Sequence, residues 1–462
     1  MLAEHAFSRA AGASLVPGNR VELLRDATEN YPAWLDAIER AHRSITLESY
    51  ILADDAVGNR FADAMSAAAR RGVRVRVLQD WLGARGEASH QFWARLRQAG
   101  VEVRWFNPFR FEAPLAWLRR NHRKSLLVDG RLGFVTGLCI AARWAGDPAR
   151  GIPAWRDTGI EIEGPAVAAL AHAFARTWAE AGPAPEREPL AQQEEISPAG
   201  DISIRVIATE PATAGIFRLD SLIAALAQRT LWLTDAYFIG LPSYVQALRA
   251  AATDGVDVRL LVPGTSDLGI VKRLGGAGYR PLLTAGIRVF EWNGPMLHAK
   301  TAVADGRWAR VGSTNLNVAS WMGNWELDVA VEDTGFAREM ERCYEADLAN
   351  STEVLLGLPR QPKNARPRLA PSNRGREGSA IATAGAIRVG NTVSAALGGR
   401  RVLGPAEASV LFAGGFGLLA IATVALLLPW ILVVPVALAA AWLGVTLVMN
   451  GVKLRRARAR RT

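Results

Sequence analysis

The chain has 462 residues, about three times the roughly 150 of a typical domain, so two or more folded units are expected. Half of the residues are hydrophobic, which excludes a disordered chain, and two cysteines, Cys139 and Cys343, exclude a disulfide scaffold and fit a reducing compartment. The net charge of +10 gathers at the C-terminal end: residues 359–401 hold nine Lys/Arg and one acid, the tail from residue 450 holds six and none, and residues 1–358 sum to −3.

In chain order, the first eighteen residues, MLAEHAFSRAAGASLVPG, contain no apolar core long enough for a signal peptide. SITLESYIL (44–52) reads as a buried strand, followed by an alanine-rich helix ending in Arg70 and Arg71 and by a strand GVRVRVL (72–78). After another helix come GVEVRWF (100–106) and HRKSLLVDGRLGFVTG (122–137). The proline- and glutamate-rich residues 182–200 mark a boundary, and then the same events recur. They are TLWLTDAYFI (230–239), a helix around residues 245–252, GVDVRLLV (255–262), GIRVFEW (286–292) and HAKTAVADGRWARVGSTN (298–315). The offset is 187 at Tyr50/Tyr237, 186 at Gly100/Gly286 and 176 at His122/His298, so the first copy carries about ten extra residues ahead of its histidine. Five events in one order point to duplication. Residues 1–181 and 201–358 are expected to be two α/β domains of one kind, with strands buried in a sheet.

Beyond residue 358 the composition changes. Residues 359–403 read as a basic, flexible linker that anionic lipid would attract. Residues 408–449 are 42 residues without a charge. One helix of that length would be about 63 Å long, twice the roughly 30 Å of hydrocarbon in a bilayer. Two spans fit instead, broken near Pro429, Trp430 and Pro435, and a transmembrane α-helical hairpin is expected over residues 404–450 with a basic tail over 451–462. One span followed by a re-entrant stretch is the alternative. Arg400 and Arg401 before the run and six Lys/Arg after it put both ends, and the large N-terminal body, on the cytoplasmic side.

Each copy contains His-x-Lys-x-x-x-x-Asp: His122, Lys124 and Asp129, then His298, Lys300 and Asp305. On a strand the histidine and lysine of each copy share a face, whereas the aspartate, seven residues on, faces away and opens an Asp-Gly turn. By spacing alone both aspartates are structural. Two such pairs facing across a pseudo-two-fold can exchange phosphodiesters. One imidazole attacks phosphorus, the other protonates the leaving alkoxide, and the lysines neutralise the non-bridging oxygens. This chemistry calls for no cofactor, and no clustered Cys/His/Asp metal-ligand set is apparent. In the flanks, Ser313 and Asn315 are candidates to bind a phosphate oxygen. Asp157 in WRDT is assigned to orient His122, and Glu326 in NWE to orient His298, with a solvated ion pair as the alternative for each. His5, His42, His90 and His172 read as surface or packing residues. Residues 106–121, aromatic and basic, could dip into lipid headgroups or pack between domains.

These motifs resemble the phospholipase D superfamily. The order GNRVELL, TLESYIL, NHRK, WRDT, LHAK, GSTNLN is similar to the short type of bacterial cardiolipin synthase that lacks N-terminal membrane helices, over roughly residues 16–358. The resemblance implies two pseudo-symmetric α/β sandwich domains meeting at a catalytic cleft and a covalent phosphohistidine. It implies His122 as nucleophile and His298 as general acid, although the roles could be reversed, and it counts Asp129 and Asp305 in the catalytic signature. One departure is Cys139, which stands where the asparagine matching Asn315 is common; a thiol is a poor phosphate donor, so the halves are not equivalent. The implied activity transfers a phosphatidyl group from phosphatidylglycerol, or phosphatidylethanolamine, to a second phosphatidylglycerol at the cytoplasmic face of the bacterial inner membrane. Hydrolysis to phosphatidic acid is the second reading. A body of −3 disfavours a nuclease and a nucleic-acid partner, and two intact His/Lys pairs disfavour an inactive scaffold.

Overall fold

The computed structural model describes residues 2–109, 119–183, 193–265 and 278–355, together with isolated positions between 416 and 449. By contacts, one unit spans residues 1–108 and 118–384 and contains both copies. Its strands in the first copy are β1 (Val16–Arg25), β2 (Ser44–Ser49), β3 (Arg74–Asp80), β4 (Glu102–Phe106), β5 (Ser125–Val128), β6 (Leu132–Thr136) and β7 (Thr158–Glu163). In the second they are β8 (Ile202–Thr209), β9 (Thr230–Thr234), β10 (Asp257–Thr265), β11 (Arg288–Met296), β12 (Thr301–Ala304), β13 (Trp308–Gly312) and β14 (Glu326–Glu332), with β15 (Ser351–Glu353) added at the edge.

All fifteen join in one sheet. Outward from its centre the order is β1-β7-β6-β5-β2-β3-β4 on one side and β8-β14-β13-β12-β9-β10-β11 on the other, the same path with every number raised by seven. The centre is the antiparallel pair β1–β8, with Val16 opposite Ile204 and Asn19 opposite Ile202. Within each half, three strands run parallel and the hairpin and the strand beyond it run antiparallel.

Glycines that end the preceding helices set where four of the strands begin. Gly72, Gly100, Gly255 and Gly286 all have positive φ, between 87° and 96°. Each donates its N–H two residues inside the preceding helix while the next residue donates one residue further back, as in Val73 N–H to Ala68 C=O at 3.1 Å and Val101 N–H to Leu96 C=O at 3.1 Å. The expected strands at 72–78, 100–106, 255–262 and 286–292 therefore begin two residues later, once the chain has left the cap.

Alternation within the strands explains the layering. In β5, Leu126 and Val128 enter a core with Trp34, Phe61 and Met65 of the helices Asp26–Arg40 and Ala56–Arg70, whereas Leu127 faces the opposite way. In β9, Leu231 and Leu233 pack under the helices Gly215–Leu226 and Pro242–Thr253, whereas Trp232 does not. The outward-turned residues of both halves meet in one shared core: Val135, Ile160 and Ile162 with Val303, Val311 and Val329, completed by the helices Val167–Glu180 and Thr334–Ala349. Strands buried on both faces are the reason the sequence reads as apolar runs.

The expected hairpin over 404–450, the linker 359–403 and the tail 451–462 lie outside the described residues, apart from isolated helical, exposed positions such as Phe416, Leu419 and Trp430. Among the described residues no helix is long and apolar enough to cross a membrane. Residues 184–192 of the expected boundary and most of 106–121 are likewise outside.

Candidate active site

His122 and His298 sit in the extended links that lead into β5 and β12, not on the strands, which begin at Ser125 and Thr301. Each link is stitched to the other half. Trp325 N–H donates to Arg120 C=O (2.8 Å) and His122 N–H to Trp325 C=O (2.9 Å). Symmetrically, Arg156 N–H donates to Met296 C=O (2.9 Å) and His298 N–H to Arg156 C=O (2.7 Å). The residue after Trp325 is Glu326, and the residue after Arg156 is Asp157.

The carboxylates are therefore exchanged between halves. His122 Nδ1 lies 3.1 and 3.0 Å from the two oxygens of Glu326, and His298 Nδ1 lies 2.7 Å from Asp157 Oδ2. This corrects the pairing expected from chain proximity, which gave Asp157 to His122 and Glu326 to His298. The ladder that holds each histidine comes from the other copy, and it carries the carboxylate with it. Fixing Nδ1 assigns Nε2 as the nitrogen for chemistry. Both carboxylates are fully buried, which by itself raises their affinity for a proton; the charge and hydrogen bond of the facing histidine outweigh this and hold each below the usual carboxylate range.

The lysines stand beside their histidines. Lys124 Nζ donates to the His122 carbonyl at 2.6 Å and lies 5.4 Å from the Tyr50 ring centre; Lys300 Nζ donates to the His298 carbonyl and lies 5.7 Å from that of Tyr237. All four residues of the two His/Lys pairs are buried. A buried ammonium on a carbonyl and an aromatic face is a cation held ready for an anionic substrate.

Of the flanking candidates, Ser313 donates its hydroxyl to Glu326 (2.5 Å) and accepts from Leu327 N–H (2.9 Å), so it orients the carboxylate. Asn315 is buried, and its Oδ1 makes no hydrogen bond among the described residues. Cys139 occupies the matching place in the first half, buried, with its carbonyl accepting from Tyr31 Oη at 2.6 Å. Asp129 and Asp305 are not brought to the imidazoles. Asp129 accepts from the N–H groups of His42, Arg43 and Ser44, and Asp305 from those of Gln228, Arg229 and Thr230, each clamping the start of a strand. Partial burial raises both carboxyls, but the three amides outweigh it and hold them below the usual range.

Several supporting residues are not evident from the sequence. Arg123, fully buried, donates to the carbonyls of Glu326 (3.0 Å), Ala173 (2.9 Å) and Thr209 (3.2 Å), which locks the link before β5 to the second half. Arg156 donates to Asp347 (2.8 Å) and Asp26 (3.2 Å) and fixes the other link. The available signal was an arginine directly beside a motif residue, between His122 and Lys124 in one case and before Asp157 in the other. A groove of about 950 Å³ elsewhere on the first half is lined by Arg43, Arg131, Asp129 and Trp178, among others, and by none of the histidines or lysines of the two pairs.

A duplicated α/β sheet with one His-x-Lys site per half, each completed by the other half, is a phospholipase D-like architecture. The family profile described as cardiolipin synthase, PLD-like domain, matches residues 34–144 and 222–348, one stretch in each half. The chain is 34% identical over 357 residues to cardiolipin synthase A of Pseudomonas aeruginosa (strain LESB58), covering 75% of this chain and 71% of that one. It is 32% identical over 349 residues to the cardiolipin synthase of Alkalihalophilus pseudofirmus, covering 74% and 68%. Among solved structures, phosphatidylserine synthase of Haemophilus influenzae Rd KW20 shares the fold, with a TM-score of 0.61 at 13% identity over 77% of this chain and 92% of that one. The chain belongs to the cardiolipin synthases of the phospholipase D-like family.

Proposed function

We propose that this chain is a membrane-associated phosphatidyltransferase that makes cardiolipin from phosphatidylglycerol through a phosphohistidine. The observation that carries the reading is the reciprocal exchange of carboxylates: Glu326 on His122 and Asp157 on His298 tie the two imidazoles to one seam between the halves. His122 Nε2 attacks the phosphorus of a first phosphatidylglycerol. The P–N bond forms, the P–O bond to glycerol breaks, and His298 gives its proton to the departing glycerol oxygen. The terminal hydroxyl of a second phosphatidylglycerol then gives its proton to His298 and attacks phosphorus, which releases His122. Lys124 and Lys300 offset charge on the non-bridging oxygens, and Asn315 hydrogen-bonds one of them. Asp129 and Asp305 serve the site by holding the strands β2 and β9 in place.

The uncharged residues 408–449 anchor the enzyme as a helical hairpin, with residues 1–181 and 201–358 as the catalytic halves on the cytoplasmic side of a bacterial inner membrane. Anchoring keeps the site in the plane of its lipid substrates and raises their effective concentration. The test is reconstitution with phosphatidylglycerol vesicles in the presence of a chelator. Glycerol release with formation of a four-chain lipid is expected, and His122→Ala abolishes both. Phosphatidic acid as the main product overturns transfer in favour of hydrolysis, and activity surviving His122→Ala overturns the mechanism. Vesicles with added phosphatidylethanolamine identify the donor.

A further inference from the structure

Among the described residues, three aromatic rings stand against the His298 imidazole: Trp144 at 5.4 Å, Trp155 at 6.0 Å and Tyr237 at 5.9 Å between ring centres. Trp144 and Trp155 also pack on each other at 4.6 Å. Against His122 stands Tyr50 at 5.3 Å, the counterpart of Tyr237. Trp325, which precedes Glu326 in the second half, stands instead on Phe106 and Arg123.

The pair of tryptophans comes from an insertion. β6 and β7 are joined by residues 137–157, and the equivalent strands β13 and β14 by residues 313–325, eight residues fewer. The extra residues form a closed loop between the tryptophans. Asp147 and Ile152 exchange backbone hydrogen bonds at 2.7 and 2.9 Å, and Trp155 N–H donates to Trp144 C=O at 3.2 Å. Gly146 has φ +67°, and a Cβ there would lie 2.5 Å from Ala154 N, so only glycine closes this turn. Arg143 forks onto Glu87 at 3.0 and 3.2 Å and lies over Trp144, which pins the base of the loop to the first half. Trp144 belongs to the first half's core, whereas Trp155 also packs on the second-half cluster of Ala236, Tyr237 and Met296. The pair therefore bridges both halves beside His298.

We propose that Trp144 and Trp155 form the acceptor wall of the site, with Trp155 the specificity-determining residue that favours a lipid-borne alcohol over water in the second step. The proposal rests on the transfer reading above, in which His298 takes the proton of the incoming nucleophile. Water and alcohol compete for the same phosphohistidine, and the hydrogen transferred to His298 is the same in both cases. What differs is the environment each needs. The faces of three rings present mostly carbon and leave water only the N–H and O–H groups at the ring edges, while the glycerol arm of a lipid can lie against them and bring its hydroxyl to Nε2.

The test is the ratio of phosphatidic acid to cardiolipin formed by the full-length protein in phosphatidylglycerol vesicles, with oxygen-18 water marking the hydrolytic product. Trp155→Ala is expected to raise the ratio about tenfold, and Trp155→Phe to return it near the wild-type value. Trp155→Leu, which keeps apolar bulk without a ring, is read in the same way if the alanine variant does not fold, and a several-fold rise is expected. An unchanged ratio with lower total turnover shows a packing role only and overturns the inference while cardiolipin synthesis stands. A wild type that yields only labelled phosphatidic acid overturns transfer itself, and the inference with it.

Discussion

Each motif histidine is paired with a carboxylate 204 or 141 residues distant in sequence. Glu326 is held by Ser313 and Asn324 as well as by His122, and Asp157 by Thr158 N–H as well as by His298. Replacing either carboxylate by its amide keeps the shape but removes the charge that fixes the tautomer. Glu326→Gln is expected to lower kcat about 10–100-fold with little change in KM, measured on phosphatidylglycerol vesicles; a change in KM alone would assign Glu326 to substrate binding instead. Deeper in the second half, Arg310 is buried with Asp220 and Asp328, and Asp235 is close by. Burial, opposed by Arg310, pushes Asp328 up to about 7. A carboxyl raised in the fold above its unfolded value of about 4 favours the folded state fully below pH 4, and that contribution is lost as pH rises to 7. Asp328→Asn is therefore expected to flatten the dependence of the urea midpoint on pH between 4 and 7, and an unaltered slope would show that Asp328 is ionised throughout. In the first half the places of Arg310 and Asp328 are held by Phe134 and Gly159, in the same register of the equivalent strands.

At the scale of elements, the Asp-Gly turns are the clearest local signal in the chain. Their parity placed Asp129 and Asp305 away from the histidines, and each is found bonded to three backbone amides, at φ +54°. The resemblance alone had put them among the catalytic groups. Asp305→Ala leaves three partly buried N–H groups without their acceptor. It is expected to cost about 1–3 kcal/mol of stability, read from the urea midpoint, with activity lost in step with unfolding. A normal midpoint with abolished turnover would restore a catalytic part for Asp305. The glycines before the strands were legible as strand starts only. Their role as helix terminators depends on bonds back to the preceding helix, which no strand pattern encodes.

At the scale of the molecule, neither half is self-sufficient. Val135, Ile160, Ile162, Val311 and Val329 are buried in the shared core, and each contributes roughly 1.5–3 kcal/mol. Exposing one side of that core removes an amount comparable to the whole net stability of a domain, about 5–15 kcal/mol. Residues 1–181 expressed alone are expected to aggregate on gel filtration and to lack activity, and co-expression with the remainder of the chain to restore both. A soluble half with cooperative unfolding would show that the shared core is dispensable.

The sequence by itself determined the duplication, the α/β class, the paired His-x-Lys motifs and the aspartate turns. All of these are written in local spacing: period-two strands, an Asp-Gly pair, a repeat offset that changes only where residues are inserted. Only the tertiary structure decided which carboxylate meets which histidine, that Arg123 and Arg156 lock the links, and that two tryptophans of the first half stand against the histidine of the second. Those contacts cross the seam between the halves, and the physical reason they are invisible in the chain is that each copy completes its site with groups from the other. Proximity in sequence pointed to the partner within the same copy; packing of the two halves of one sheet across a common core supplied the opposite one.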